Sequence, residues 1–116
     1  MQAIDFPMER YFCEIKNGIN DTRFTLEAHS SSPLSQRNGL SIILRRLTEC
    51  RSRGSKVIFI GNGGSAAICS HMAIDFMNAA KIRAIDFNSG PLITCLANDY
   101  GFENFFAKAI QMHGRK

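Results

Sequence analysis

The first part of the chain carries apolar residues at helical spacing. Between residues 4 and 28 they recur three, four and seven positions apart, at Phe12, Ile15, Ile19 and Leu26. That spacing predicts a helix with one apolar face. The pair Asn17-Gly18 weakens the middle of the pattern, because both residues have low helix propensity.

A second helical pattern follows a break at residues 30–33. Between residues 34 and 53 the apolar positions again recur three and four apart, at Leu40, Ile43, Leu44 and Leu47. This predicts an amphipathic helix. Pro33 suits the first turn of such a helix, and Gly54 is expected to end it.

Beyond Gly54 the pattern alternates between strands and helices. Residues 57–60 form a short apolar run rich in β-branched residues, which predicts a strand buried on both faces of a sheet. The rest reads as a helix over 65–80, a strand over 83–87, a turn over 88–91, a short helix over 91–97, a break at Asn98-Asp99 and a helix over 101–113.

This order of elements predicts an α/β fold with a parallel sheet between layers of helices. We expect residues 1–53 to form an N-terminal region of two helices and residues 54–116 to begin the α/β core. A parallel sheet needs more than two strands to stand alone. The sequence therefore predicts an incomplete domain, the N-terminal half of a longer one.

The composition is that of an ordinary globular protein, with 45% hydrophobic and 21% charged residues. The net charge of +4 is mild. Basic residues concentrate at Arg45, Arg46, Arg51, Arg53 and Lys56. No aromatic side chains alternate with them, so we interpret the cluster as a solvated helix face and expect no nucleic-acid partner.

The sequence gives no sign of a membrane or a secreted protein. No apolar run approaches the ~20 residues of a membrane span, and Asp5 and Glu9 stand where a signal peptide would be apolar. No CxxC pair occurs among the cysteines Cys13, Cys50, Cys69 and Cys95. We expect a reduced cytoplasmic protein whose thiols pack as small apolar side chains.

The sequence KVIFIGNGGSAA at residues 56–67 places a glycine-rich turn between a strand and a helix. Its glycines permit a close approach of the backbone to a ligand, and Ser65 adds a hydroxyl donor. With the unpaired N–H groups at the helix start, these features suit a phosphate group. A plain tight turn is the alternative. The loop is neither a Walker loop nor a GxGxxG loop, since no Gly-Lys follows and Ala67 replaces the third glycine.

Two motifs resemble the sugar isomerase (SIS) family, in its phosphoheptose isomerase branch. The first is Gly61-Asn62-Gly63-Gly64-Ser65 with the segment HMAIDF at residues 71–76, and the second is LANDYGFE at residues 96–103. The resemblance implies a flavodoxin-like three-layer fold, a homo-oligomer and a phosphosugar substrate. It also implies substrate-binding roles for Asn62, Gly63, Gly64, Ser65, Asn98 and Asp99. Asn98 and Asp99 are alternatively a capping pair for the following helix.

The resemblance further implies catalytic roles for His71 and Asp75, and it makes both of them possible zinc ligands. In the family a glutamate follows the histidine by four residues, whereas this chain has Asp75, which is one methylene shorter. The carboxylate would then sit about 1–1.5 Å further back by ordinary bond lengths. A displacement of that size can weaken catalysis greatly.

Three functions follow as hypotheses. The first is an aldose–ketose isomerase similar to sedoheptulose 7-phosphate isomerase, and the second is a non-catalytic SIS module that binds carbohydrate derivatives or protein partners. The third, a dinucleotide-binding fragment, would use Asp86 as its ribose ligand. The family's serine-rich SxSGxS loop does not occur in residues 102–116, which again predicts a truncated domain.

Overall fold

The computed structural model describes residues 7–26 and 32–114. Its elements in chain order are α1 (Met8–Asn20), α2 (Gln36–Ser52), β1 (Lys56–Phe59), α3 (Gly64–Asn78), β2 (Arg83–Asp86), α4 (Gly90–Tyr100), a 3₁₀ turn (Phe102–Asn104) and α5 (Phe105–His113). The chain divides into two compact units, one up to Leu44 and one from Arg45 onward.

Helix α1 is shorter than its apolar spacing predicts. The predicted helix covers residues 4–28, whereas the observed helix ends at Asn20. Residues 4–6 and 27–28 of the prediction lie outside the described residues. The side-chain amide of Gln36 donates to the carbonyl oxygens of the last two residues of α1, at 3.0 and 2.8 Å. A helix leaves such carbonyls unpaired at its C-terminal end, so these hydrogen bonds stabilise the observed end.

Phe24 and Leu34 form an isolated antiparallel bridge before α2. The Leu34 amide donates to the Phe24 carbonyl oxygen at 2.7 Å. The Phe24 ring lies directly on the backbone of Gly39, where an added Cβ would be 2.1 Å from the ring Cγ. Gly39 is buried, and only a residue without a side chain fits beneath the ring.

Helix α2 begins at Gln36, two positions later than predicted. The Ser35 hydroxyl oxygen accepts a hydrogen bond from the Asn38 amide at 3.3 Å, which is a typical N-terminal cap. Pro33 precedes the bridge at Leu34, so its predicted place in the first helical turn is wrong. The bridge holds the chain extended at that point.

Strands β1 and β2 form a parallel pair in the second unit. Their register places Lys56 beside Arg83 and Phe59 beside Asp86. The residues of β1 are half-buried, which is less than the sequence predicts. The reason is that neither strand has a second neighbour within the described residues.

Helices cover both faces of this sheet. Successive side chains of a strand point to opposite faces, and the Phe59 ring packs edge-on against Phe76 of α3, with centroids 5.0 Å apart. On the other face, Ile58 and Ile85 pack against a cluster from the β2–α4 loop, α4 and α5, formed by Phe87, Leu96, Phe105 and Ala109. The predicted layered α/β fold, incomplete in its sheet, is confirmed.

Helix α4 continues to Tyr100, so the predicted break at Asn98-Asp99 is wrong. The helix ends at Gly101, whose φ of 86° is unfavourable for other residues and whose amide donates to the Ala97 carbonyl oxygen at 2.9 Å. Because the 3₁₀ turn comes next and α5 begins only afterwards, Asn98 and Asp99 cannot cap α5.

The four cysteines are free, but not all of them are packed. Cys69 is buried on α3 and Cys50 is partly buried, whereas Cys13 and Cys95 are exposed. The prediction that the thiols fill a core therefore holds for Cys69 and is wrong for the two exposed cysteines. No helix in the described ranges combines the length and hydrophobicity that a bilayer span requires.

Candidate functional site

The glycine loop, residues 61–65, connects the end of β1 to the first turn of α3. A Cβ at Gly61 would lie 2.7 Å from the Ser65 carbonyl oxygen and 2.8 Å from the Cys69 sulfur. Gly63 has a φ of 58°, which side-chain-bearing residues rarely adopt. These two glycines let the chain turn from the sheet edge directly into the helix.

Much of the hydrogen-bonding capacity of the glycine loop is used within the loop. The Gly63 amide donates to Asn62 Oδ1 at 2.9 Å, and the Ser65 amide donates to the Asn62 carbonyl oxygen at 3.2 Å. The Ala66 amide is likewise bonded to Gly63. Among the described residues, none accepts a hydrogen bond from the Gly64 amide or the Ser65 hydroxyl, and no side chain caps α3. These two donors at the helix start can therefore bind an anion.

Asn88 connects the glycine-loop end of α3 to the turn after β2. Its side-chain Nδ2 donates to the Ala66 carbonyl oxygen at 2.6 Å and to the Ser70 hydroxyl oxygen at 2.9 Å. Its own amide donates to Asp86 Oδ1 at 2.9 Å. The sequence predicts only a turn here. The Asp-x-Asn spacing after a strand could have indicated the bond to Asp86, since Asp side chains often accept a hydrogen bond from the backbone amide two residues further on.

His71 and Asp75 form a pair on α3, as their four-residue spacing predicts. His71 Nε2 and Asp75 Oδ2 are 3.4 Å apart, and the two side chains are 75% and 52% exposed. The pair is thus open to solvent on the helix surface. It offers one imidazole and one carboxylate side by side, a combination that can transfer a proton.

The pair does not by itself fit a zinc site. A bound zinc ion takes about four ligands, of which a catalytic site draws three from the protein. His71 and Asp75 supply two, and within residues 7–26 and 32–114 no group of three or more His, Cys, Asp or Glu side chains could hold a metal ion. We therefore assign no chemical step to zinc.

Asn98 and Asp99 lie in the last turn of α4, about 12 Å along the helix axis from its first residue. Asn98 Nδ2 donates to Asp99 Oδ1 at 3.2 Å, and the Cys95 thiol donates to Asp99 Oδ2 at 3.6 Å. Helices α3 and α4 cover opposite faces of the sheet. Within one chain, Asn98 and Asp99 are therefore not on the face that carries His71 and Asp75.

The class of protein follows from the fold and the loop together: an incomplete α/β domain in which a glycine-rich turn after the first strand opens a helix. Comparison with solved structures agrees. Phosphoheptose isomerase from Neisseria gonorrhoeae superposes with a TM-score of 0.55 over 95% of this chain and 56% of that one, at 23% identity. At that identity the match shows the fold.

The curated relatives are more specific, and they are phosphoheptose isomerases. The chain is 32% identical over 108 residues to the enzyme of Roseiflexus sp., covering 88% of this chain and 51% of the relative. It is 30% identical to that of Fusobacterium nucleatum, over 82% and 52% of the two chains. The protein of Solidesulfovibrio magneticus is 39% identical over 74 residues, 58% of this chain and 36% of its own. The chain is thus phosphoheptose isomerase-like.

This similarity covers only part of the relatives. The chain spans about half the length of the curated relatives from Roseiflexus and Fusobacterium. No protein-family model matches the chain. The names of the three relatives give no support to the dinucleotide-binding hypothesis. Asp86, the acid that this hypothesis requires, has one carboxylate oxygen bonded to the Asn88 amide.

Proposed function

We propose that this chain supplies the phosphosugar-binding part of an aldose–ketose isomerase that acts on sedoheptulose 7-phosphate. The observation that carries the proposal is the start of α3. The free Gly64 amide and Ser65 hydroxyl lie there, and His71 follows Ser65 by about 9 Å along the helix. The names of the relatives support the same substrate class. Residues 1–116 would form one SIS domain with other chain segments.

The proposed roles follow from the chemistry of each group. Residues 62–65 would hold the phosphate or a sugar hydroxyl. Asp75 would move a proton between the two neighbouring sugar carbons through an enediol intermediate, and His71 would orient its carboxylate. Asn98 and Asp99 would contact the substrate in an assembled protein, since their own chain does not place them on the same face.

The test measures binding and turnover separately. Calorimetry should show that the chain binds sedoheptulose 7-phosphate and not sedoheptulose. Ser65→Ala should weaken binding about tenfold, the effect of losing one hydrogen bond to a charged group. In the completed SIS domain, Asp75→Asn should abolish turnover and leave binding intact, whereas the control Glu9→Gln, an exposed acid on α1, should change neither. Failure of the wild-type chain to bind the phosphosugar would refute the proposal.

A non-catalytic carbohydrate-binding module is the second candidate, and Asp75 favours it. This carboxylate is shorter than the family's glutamate and is paired with His71 at 3.4 Å instead of being free. The two candidates differ in one result. If the protein binds the phosphosugar without turnover, and Asp75→Ala leaves that binding unchanged, the protein is the non-catalytic module.

We also propose that the protein is cytoplasmic, which its free cysteines support, and that it forms a homo-oligomer. Helix α1 buries no residue, and its apolar side chains are 42–64% exposed at Met8, Tyr11, Phe12, Ile15 and Ile19. An exposed apolar face of this kind marks an interaction surface, and in a symmetric dimer it would pack against the same face of a second copy. Light scattering after gel filtration should find an oligomer that Phe12→Asp dissociates. An unchanged mass in that variant would exclude α1 as the interface.

A further inference from the structure

An open cavity of about 630 Å³ lies apart from the residues of the proposed sugar site, along β2, whose outer edge is unpaired within the described residues. Its walls include the apolar side chains Met77, Phe87 and Leu92. It is lined by no residue of the glycine loop and by neither His71 nor Asp75. Its volume lies within the range of about 300–1,000 Å³ that is typical of small-molecule sites.

The polar part of this cavity is strongly basic. Lys56, Lys81, Arg83 and His113 all line it. In the described part of the chain no carboxylate lies within salt-bridge distance of the two lysines or the arginine. The one acid of the lining, Asp86, accepts a hydrogen bond from the Asn88 amide. Like charges held together without a counter-ion attract an anion.

Two of these cations are held in place by the backbone. Lys56 Nζ donates to the His113 carbonyl oxygen at 2.7 Å, and Arg83 Nη1 donates to the Gly54 carbonyl oxygen at 3.1 Å. Each retains further N–H donors. Lys56 and Arg83 are partners in the strand register, so their backbones lie about 4.8 Å apart and both side chains start from the same end of the sheet.

Lys81 is the third cation, and its backbone conformation is unusual. Its φ of 54° makes it the one residue other than glycine with a positive φ in the described chain. It accepts this unfavourable conformation directly before β2, and its ammonium group has no hydrogen-bond or ionic partner among the described residues. A glycine would suit the backbone better, so the side chain is present at a conformational cost.

We propose that this cavity binds an organic phosphate with an apolar body. The phosphate would lie on Lys56, Lys81 and Arg83, and the body along Met77 and Leu92. A sugar phosphate lacks such a body, so this ligand is chemically distinct from the proposed substrate. The inference does not depend on the proposed isomerase function.

Calorimetry with hexyl phosphate, hexanol and inorganic phosphate tests the proposal on the 116-residue chain. Hexyl phosphate should bind more tightly than inorganic phosphate, and hexanol should not bind. Lys81→Gly should weaken hexyl phosphate binding about tenfold, the loss of one charge-assisted contact. Since glycine suits a φ of 54°, the same variant should melt no lower than the wild type. Met77→Ser should weaken hexyl phosphate binding and leave inorganic phosphate binding unchanged.

Two control variants test whether hexyl phosphate binds in this cavity. Lys16→Ala removes the same charge from the exposed face of α1, and Ser65→Ala alters the glycine loop. Both should leave hexyl phosphate binding unchanged. An equal loss in Lys16→Ala would show a non-specific charge effect, and a loss in Ser65→Ala alone would place the ligand at the glycine loop. Either result, or no binding, overturns the proposal.

Discussion

At the residue scale, the glycine loop depends on the absence of a side chain at position 61. Gly61→Ala would bring Cβ to 2.7 Å from the Ser65 carbonyl oxygen and 2.8 Å from Cys69 Sγ. Real Cβ atoms do not approach so closely, so the first turn of α3 must move. We expect a loss of about 1–3 kcal/mol in the free energy of unfolding, measured with urea.

Gly64→Ala is the matched control for that change. A Cβ at Gly64 meets no atom within 4 Å, and this residue already has helical geometry. The substitution should be neutral or stabilise by about 0.4–1 kcal/mol, because it restricts the unfolded chain. Equal losses in the two variants would contradict the tight packing described for Gly61.

Asn88→Ala is a second prediction at this scale. It removes the donor that bonds to the Ala66 carbonyl oxygen and the Ser70 hydroxyl, both partly buried. The Ser70 hydroxyl still donates to the Ala66 carbonyl oxygen in this variant, so only the Asn88 hydrogen bonds are lost, at a cost of about 0.5–1.5 kcal/mol each in urea unfolding. Asn78→Ala, at the exposed end of α3, should change stability little. If the two variants unfold alike, the Asn88 bonds do not stabilise the protein.

The sequence predicts some of these residues and not others, for a physical reason. His71 and Asp75 are four apart, so helical geometry alone brings them together. The glycine loop is likewise a local feature. Asn88 bonds to groups 22 and 18 positions away, and those contacts exist only after β1 and β2 have paired. Their sequence spacing carries no sign of them.

At the element scale, the sequence predicts which segments are strands and which are helices, but it does not predict where several of the helices end. Strand β1 can be predicted because it depends on the apolar, β-branched residues of its own segment, directly before the glycine loop. The end of α1 depends on Gln36, 16 or 17 positions away. The end of α4 was predicted too early, because Asn98 and Asp99 are compatible with a helix, whereas Gly101 supplies the positive φ that ends it.

Gly39→Ala tests the packing of α2 in the first unit. An added Cβ would overlap the Phe24 ring, at 2.1 Å from Cγ. The ring must leave its position, so the bridge between Phe24 and Leu34 should be lost. We expect faster hydrogen exchange of the Leu34 amide, measured by mass spectrometry, together with a loss of about 1–3 kcal/mol.

Gly18→Ala in α1 is the control for that experiment. Position 18 has no atom within 4 Å of an added Cβ, and alanine favours the helix by about 0.5–1 kcal/mol over glycine. Its helical circular dichroism should rise slightly while exchange at Leu34 stays as in the wild type. Faster exchange at Leu34 in both variants would show that the Gly39 effect is not local.

At the scale of the whole molecule, more large apolar side chains are exposed than buried among the described residues. The buried apolar residues of the described chain are small in number, and all follow Leu44. Both strands also have an unpaired edge within the described residues, and such edges promote aggregation. We expect the isolated 116-residue chain to bind a hydrophobic dye and to aggregate when it is heated through its unfolding transition. A sharp two-state calorimetric transition of a monomer would contradict this.

The alternating faces of β1 limit where the length of this chain can change during evolution. Phe59 contacts α3, whereas its neighbour Ile58 contacts the α4–α5 side. A deletion or insertion of one residue inside the strand would exchange these two environments for every following position. We therefore expect natural length variation to avoid β1 and the connection before β2, where Ile82 is buried and its amide donates to the Phe76 carbonyl oxygen. It should concentrate in the exposed residues 53–55 instead.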